Sequence, residues 1–424
     1  MRWTILVPAV MAAMLNCSVR GGEQWSEFRG PGGSGSSTAA GLPLKWSESQ
    51  NVTWKTAIHG KGWSSPVIWD DQIWMTTATE DGKRMFAVCV DLHSGKIVHD
   101  LLLFENEKPA YCHPANSYAS PTPVIEEGRV YLHFGTYGTA CLDTASGKTV
   151  WSRRDLLCNH FRGPGSSPLL DGERLILTFD GFDLQYVAAL DKRTGKTLWK
   201  KNRDIKYPSN NGDLKKAFGT PTVIEFARRR QLVSPSAVAT IAYDPKSGEE
   251  LWKVYHGGMN VAARPQFGHG LLFINTGPGG DGLIGVRPDG RGDVTKSHVV
   301  WKYRKSVPKR ASHLLIGDSI YMFHDSGVAT CLKAKTGEMV WQRRLPGKFW
   351  SSPIYADGRI YCFSKDGICQ VIEPGQTFKL LATNHLESGF WSTPAIAGKA
   401  IFPRSETHLY RLELTKSKPA SKQP

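Results

Sequence analysis

Asp143-Thr-Ala-Ser-Gly147-Lys-Thr-Val-Trp151 decides how this chain must be read. Nearly the same nine residues return as Asp191-Lys-Arg-Thr-Gly195-Lys-Thr-Leu-Trp199 and as Asp244-Pro-Lys-Ser-Gly248-Glu-Glu-Leu-Trp252. Looser copies occupy residues 91–99 and 333–341. In all five the glycine follows the first residue by four positions, and the last residue follows the glycine by four. An apolar pair precedes the turn (Cys141-Leu142, Ala189-Leu190), so the unit reads strand, tight turn, strand. Asp and Ser/Thr side chains bond turn amides, while glycine supplies the positive φ that strains other residues. A hairpin that recurs along a chain signals a repeat architecture.

A second phrase sets the period. Ser65-Pro66-Val-Ile is followed, seven residues after the proline, by the apolar start Ile73-Trp74. The same offset joins Pro123 to Val130, Pro168 to Leu175, Pro265 to Leu272, Pro353 to Ile360 and Pro394 to Ile401. His313 replaces the proline before Ile320, and an insertion at Arg228-Arg229-Arg230 stretches the copy from Pro221 to Leu232. The eight starts are 57, 45, 53, 44, 48, 40 and 41 residues apart, the length of a four-stranded propeller blade. The eighth unit ends near Leu414 with only three strands; its missing outer strand is Asn51-Val-Thr-Trp54-Lys55-Thr-Ala-Ile58. The expectation is an all-β, eight-bladed β-propeller of four-stranded antiparallel blades over residues 51–414, closed by an N-terminal strand that completes the last blade. Tandem β-sandwiches are the competing architecture. The Trp that ends most outer strands should pack into the seam between neighbouring sheets, since one sheet cannot bury both faces alone.

Composition agrees with a turn-rich globular β protein: 40% hydrophobic residues, 43 Gly and 25 Pro in 424. Residues 1–21, with Arg2 before an apolar run to Leu15, read as a secretory signal peptide of uncertain cleavage site. Cys17 raises a lipid anchor, which Asn16 argues against. Residues 22–50 read as a Gly/Ser-rich linker and residues 415–424 as a disordered basic tail. No apolar run reaches the roughly 20 residues of a membrane span. The net charge of +15 is spread thinly and reads first as a solvated basic surface. In an exported chain it would meet anionic lipid, envelope polysaccharide or an acidic protein sooner than nucleic acid.

If the chain enters every inner strand at one face, the incoming segments gather round the channel mouth there and the hairpins lie at the other face. Those segments carry Trp63, His113, Asn116, His160, Arg162, Asn260, Arg264, Arg310, Trp350 and Trp391, the candidate ligand-binding set. Loops between second and third strands reach the same face and add Asp180, Asp183, Asp281 and Asp325. Aromatic faces beside Arg and Asn suit a sugar or an acidic ligand. The plainer reading packs Trp63, Trp350 and Trp391 between inner strands with no ligand at all. Cys89, Cys141 and Cys331 sit in apolar strands as small buried hydrophobes. Cys112 and Cys158 precede neighbouring starts by eleven and ten residues, which makes them a candidate disulfide pair in an exported protein. Zinc held with His113 and His160 is the alternative, but no compact ligand spacing supports it. Neither G-x-S-x-G nor H-E-x-x-H occurs, and Asp289-Gly-Arg-Gly-Asp293 lacks a calcium-loop pattern, so no catalytic or metal residue is assigned.

The D-x-x-[ST]-G-K-x-x-W repeats and S-S-P-V starts resemble the pyrroloquinoline-quinone-like repeats of eight-bladed quinoprotein alcohol dehydrogenases and of BamB-like propellers. Ser117-Tyr-Ala-Ser-Pro-Thr-Pro123, His160-Phe-Arg-Gly-Pro-Gly-Ser-Ser-Pro168 and Gly277-Pro-Gly-Gly-Asp-Gly282 are similar to the secreted BamB-like propellers of planctomycetes. The resemblance spans roughly residues 25–414 and is specific for fold, not activity. In the dehydrogenases it implies a ring formed by adjacent disulfide-bonded cysteines, a calcium site and a catalytic Asp. This chain has no adjacent Cys pair, so pyrroloquinoline quinone (PQQ) is disfavoured and no cofactor is expected. The leading expectation is an exported, monomeric, non-catalytic propeller that binds an envelope protein or an acidic or glycan ligand. A quinone-dependent oxidoreductase comes second, and a carbohydrate-binding or carbohydrate-processing protein third.

Overall fold

A computed structural model describes residues 24–415; the expected signal peptide, Cys17 and nearly all of the basic tail lie outside them. Eight antiparallel sheets follow one another along the chain. Blade 1 is Val67–Trp69, Gln72–Ala78, Arg84–Asp91 and Ile97–Glu105. Blade 2 runs from Val124–Glu126 to Thr149–Arg153, and blade 3 from Leu169–Asp171 to Thr197–Asn202. Blade 4 runs from Thr222–Phe226 to Glu250–Gly257, blade 5 from Gln266–Gly268 to Val299–Tyr303, and blade 6 from Leu314–Ile316 to Met339–Arg344. Blade 7 runs from Ile354–Ala356 to Lys379–His385. Blade 8 joins Ala395–Ala397, Ala400–Phe402 and His408–Leu412 to the N-terminal Val52–Ala57, as the sequence indicated. Among the described residues no helix is long and apolar enough to cross a membrane.

The repeated hairpin is a fastening between blades. Asp143 Oδ1 accepts from the Ser146 amide at 2.9 Å and its hydroxyl at 2.7 Å, and Asp91 and Asp191 do the same with Ser94 and Thr194. The tryptophan of one blade then docks on the next blade's hairpin. Trp54, Trp151, Trp199, Trp301 and Trp341 donate Nε1–H to the carbonyls of Leu92, Lys192, Pro245, Ala334 and Gly375. Gly195 has φ 71°, and a Cβ there would lie 2.7 Å from the Trp151 ring; Gly95 and Gly337 meet Trp54 and Trp301 likewise. Turn glycine and seam tryptophan are thus one device, which is why they recur together. Next to each such Trp the outer strand carries a bulge: Trp199 pairs with Ala189 and Thr197 with Leu190, which leaves Leu198 unpaired. The bulge turns the preceding residue outward: Val98, Val150, Leu198 and Val300 are exposed for this reason. Trp252 departs from the pattern and bonds Gln231 within its own blade. Beside it, the 289–293 turn adds Gly292–Asp293 as a fifth strand, parallel to the outer strand of blade 4.

The 22–50 linker expectation needs correction. Residues 24–50 are built into the ring. Trp25 bridges Ile68 of blade 1, Ser36 bridges Tyr355 of blade 7, and Trp46 is buried against Tyr361 and Phe363. Gly33 and Gly35 serve close approach. A Cβ on Gly33 would sit 2.2 Å from the Arg264 guanidinium, and one on Gly35 would sit 2.4 Å from that of Arg29, both at positive φ.

Candidate functional site

Two positions before each inner strand stands Ser or Thr in seven blades and Arg264 in blade 5. Because most of these precede proline, their backbone is held extended. In seven of the eight the backbone N–H donates to the hydroxyl of the next blade: Ser65 to Thr122, Thr122 to Ser167, Ser167 to Thr220, Arg264 to Ser312, Ser312 to Ser352, Ser352 to Thr393, and Thr393 to Ser65. These seven bonds form a belt around the axis, broken only where Arg264 offers no hydroxyl.

The N-terminal segment seals the channel below the belt. Arg264 Nη1 donates to the Phe28 carbonyl at 2.7 Å, and its Nη2 lies 2.8 Å from Glu27 Oε2. Arg29, fully buried, donates to the carbonyls of Gly33, Ser34, His313 and Pro353. Burial and the Arg264 charge press its guanidinium down to about 9, which marks how unfavourable this position is for a cation without a carboxylate.

Above the belt a cavity of about 320 Å³ opens at the incoming face, with Phe28 and Phe218 among its walls. Trp63, His113, Asn116, Arg162, Asn260, Arg310, Trp350 and Trp391 all line it. Arg162 pairs with Asp213 at 2.5 Å and Arg310 with Asp325 at 2.5 Å. Burial, then Arg162 and Arg310, hold the His113 imidazolium below its ordinary range, so the two cationic sectors act on one space. Asn260 Oδ1 and Trp63 Nε1 are buried without a protein partner among the described residues. Buried polar atoms of this kind ask for a water or a ligand. The Asp residues of the facing loops do not enter the cavity. Asp325 and Asp183 accept the backbone N–H groups of Lys309 and Asn159, Asp281 pairs with Lys302 and Arg304, and Asp180 pairs with Arg203.

His160 and Arg264 stand apart from the cavity wall. Arg264 is the anchor of the plug. His160 is buried in the seam between blades 2 and 3, with Nε2 3.2 Å from Cys158 Sγ and Nδ1 2.9 Å from Lys216 Nζ. The candidate Cys112–Cys158 disulfide is not formed. Both thiols are free: Cys158 faces His160, and Cys112 faces the carbonyls of His113 and Arg162. Sequence reading also missed Lys309, on the wall, and Lys365, beside it. Lys365 lies in the loop of blade 7 equivalent to the one that supplies Asp325 in blade 6, so the same strand order that places Asp325 at the incoming face places this base there too.

Burial lowers the Lys216 ammonium to about 8. The unfolded lysine titrates near 10.4, so below pH 8 both states hold the proton and the burial penalty is fully felt. From pH 8 to about 10.4 the unfolded chain binds more proton, so this group's contribution to stability rises with pH, by up to about 3 kcal/mol. Urea melts of the parent across that range should show a rise that Lys216→Met lacks; equal slopes would refute the assignment.

No Asp or Glu lines the cavity, and among the described residues no group of three or more His, Cys, Asp or Glu could hold a metal ion.

Ring closure, hairpin fastening and repeat define a PQQ-like repeat β-propeller. The chain belongs to the family described as outer membrane protein assembly factor BamB, which matches residues 54–225 and 238–377. It is 23% identical over 243 residues to the outer membrane protein assembly factor BamB of Shewanella oneidensis, an alignment covering 54% of this chain and 57% of that protein. Among solved structures it is similar to BamB from Moraxella catarrhalis, with 12% identity, a TM-score of 0.57, and 85% of this chain and 99% of that one covered. It is also similar to the quinohemoprotein alcohol dehydrogenase from Comamonas testosteroni, with 10% identity, a TM-score of 0.64, and 95% and 82% covered. At such identities the structural likeness establishes fold alone.

Proposed function

We propose that this chain is an exported, non-catalytic, monomeric propeller that offers its funnel to a partner at the cell envelope. The observation that carries this reading is the wall itself: cations and indole rings from separate blades converge on one cavity that presents no carboxylate. Such a surface suits recognition of a negatively charged partner. The family, whose description names an assembly factor, supports a protein partner. In a pull-down from envelope extract, Arg162→Ala with Arg310→Ala should lose the partner that the parent retains. An unchanged set of partners would remove the funnel from the binding surface.

Quinone-dependent oxidation is the second reading, favoured by the ring shared with the Comamonas testosteroni dehydrogenase. Reconstitution with quinone and calcium, followed by dye reduction across alcohols and sugars, would revive it if any substrate turned over.

A further inference from the structure

Beside the funnel mouth stands a cation, Lys365, that the scaffold crowds and that makes no ion pair among the described residues. Lys365 Nζ lies 3.9 Å from the ring centre of Trp350 and 3.9 Å from that of Trp391. The Arg310 guanidinium also sits over Trp350, at 3.6 Å, so two cations share one indole. The nearest acids are engaged elsewhere: Asp366 accepts the Lys348 backbone N–H at 3.0 Å, and Glu406 accepts Trp391 Nε1–H at 2.5 Å. Burial, then Arg310 and Lys348, push the Lys365 ammonium below its ordinary range. Asp366 and Glu406 pull the other way from a distance, and Arg310 keeps its Asp325 partner, but among the described residues Lys365 itself makes no ion pair, which leaves its ammonium open to an incoming anion.

We propose that the Lys365–Arg310 corner of the funnel binds the carboxylates of an acidic peptide segment presented by a partner protein. This rests on the partner reading above and names the chemistry of that partner. The ring faces explain why the ligand is a peptide and not a sugar. Trp63 and Trp391 cover each other, stacked at 4.6 Å and 5°, Trp350 meets Trp391 edge-on, and the faces of Trp350 carry Arg310 and Lys365. A sugar needs an open indole face, whereas a carboxylate needs only the donor edges of the two cations. Arg162 and His113, further round the mouth, give an extended segment with several carboxylates a second place to pair.

Calorimetric titration of the whole chain with hexaglutamate, hexaglutamine and a six-ring oligogalacturonate tests this. Hexaglutamate should bind, weaken with added salt, and lose about 10-fold or more in affinity on Lys365→Gln. Lys365→Arg should stay within about 3-fold of the parent, because the charge and its place over the rings are kept. Thermal melts should show Lys365→Gln at least as stable as the parent, since like-charge crowding is relieved. No hexaglutamate binding, equal binding of hexaglutamine, or tighter binding of the oligogalacturonate would each overturn the proposal, the last in favour of a glycan. Partner capture that depends on Arg162 and Arg310 but not on Lys365 would also overturn it while leaving the partner reading intact. Hexaglutamate binding lost on Lys365→Gln, with no envelope partner captured, would support the site's chemistry and remove the partner reading instead.

Discussion

Deleting residues 51–58 is expected to lower the melting temperature of the entire ring by about 10 °C or more and to broaden the transition. Val52–Ala57 supplies the outer strand of blade 8, pairing Trp54 with Arg411, Lys55 with Tyr410 and Ala57 with His408. It carries the fastening to blade 1 as well, through Trp54 Nε1 to the Leu92 carbonyl and Thr56 Oγ1 to the Gly95 carbonyl. Lys55 pairs with both Glu48 and Glu387, at 2.9 Å each. The core beneath is shared by the N-terminal segment and blades 1, 7 and 8, so loss of the strand opens a seam that three sheets depend on. Losing a large aromatic from a packed site alone costs about 3–5 kcal/mol, and the deletion adds the exposed edge of His408–Leu412. Adding the peptide of residues 51–58 in trans should recover part of the loss in a concentration-dependent way. A sharp melt at the parent's temperature after deletion would show that closure does not depend on this strand.

The ring was legible because each of its parts forces a sequence constraint. A hairpin that must cap itself, admit a neighbour's indole and turn at positive φ can be written in few ways, so Asp143, Gly147 and Trp151 recur with their spacing. The plug was not legible, since Gly30, Gly32, Gly33 and Gly35 have the composition of a flexible linker. What sets Gly33 and Gly35 apart is the approach of the Arg264 and Arg29 guanidinium groups, and Arg264 comes from a position that sequence cannot place beside them. Strand direction put the incoming segments on one face, and most of the nominated residues do line the cavity. It could not separate side chains aimed inward from those turned into a seam or down the axis, and so His160 and Arg264 were nominated alongside Arg162 and Arg310. The cysteines failed for a related reason. Similar height on neighbouring blades brings Cys112 and Cys158 near one another in the sequence pattern, but side-chain direction gives them different partners.

Breaking the Asp180–Arg203 pair from one side is expected to cost about 3–5 kcal/mol, among the largest effects of any single substitution here. Arg203 Nε and Nη2 donate to the two Asp180 oxygens at 2.6 and 3.0 Å, and Nη2 also donates to Ser234 Oγ at 2.8 Å. Both side chains are essentially sealed from water, at 0% and 1% exposure, so neither charge can be rescued by solvent once its partner is gone. Asp180 ends the second strand of blade 3, Arg203 follows that blade's outer strand, and Ser234 belongs to blade 4, so the pair spans a seam. Asp180→Leu leaves a buried guanidinium without its carboxylate, and Arg203→Met leaves a buried carboxylate with only the more distant Lys216 charge. The double variant removes both and should lie well above the sum of the two losses. Urea denaturation of the four proteins measures this directly. Single losses below about 1 kcal/mol, or strict additivity, would mean that water reaches the seam. The same cycle bears on the site, because Asp180 is one of the acids that the strand order alone would assign to the incoming face. A coupling of several kcal/mol would commit its charge to the scaffold and leave the funnel wall cationic.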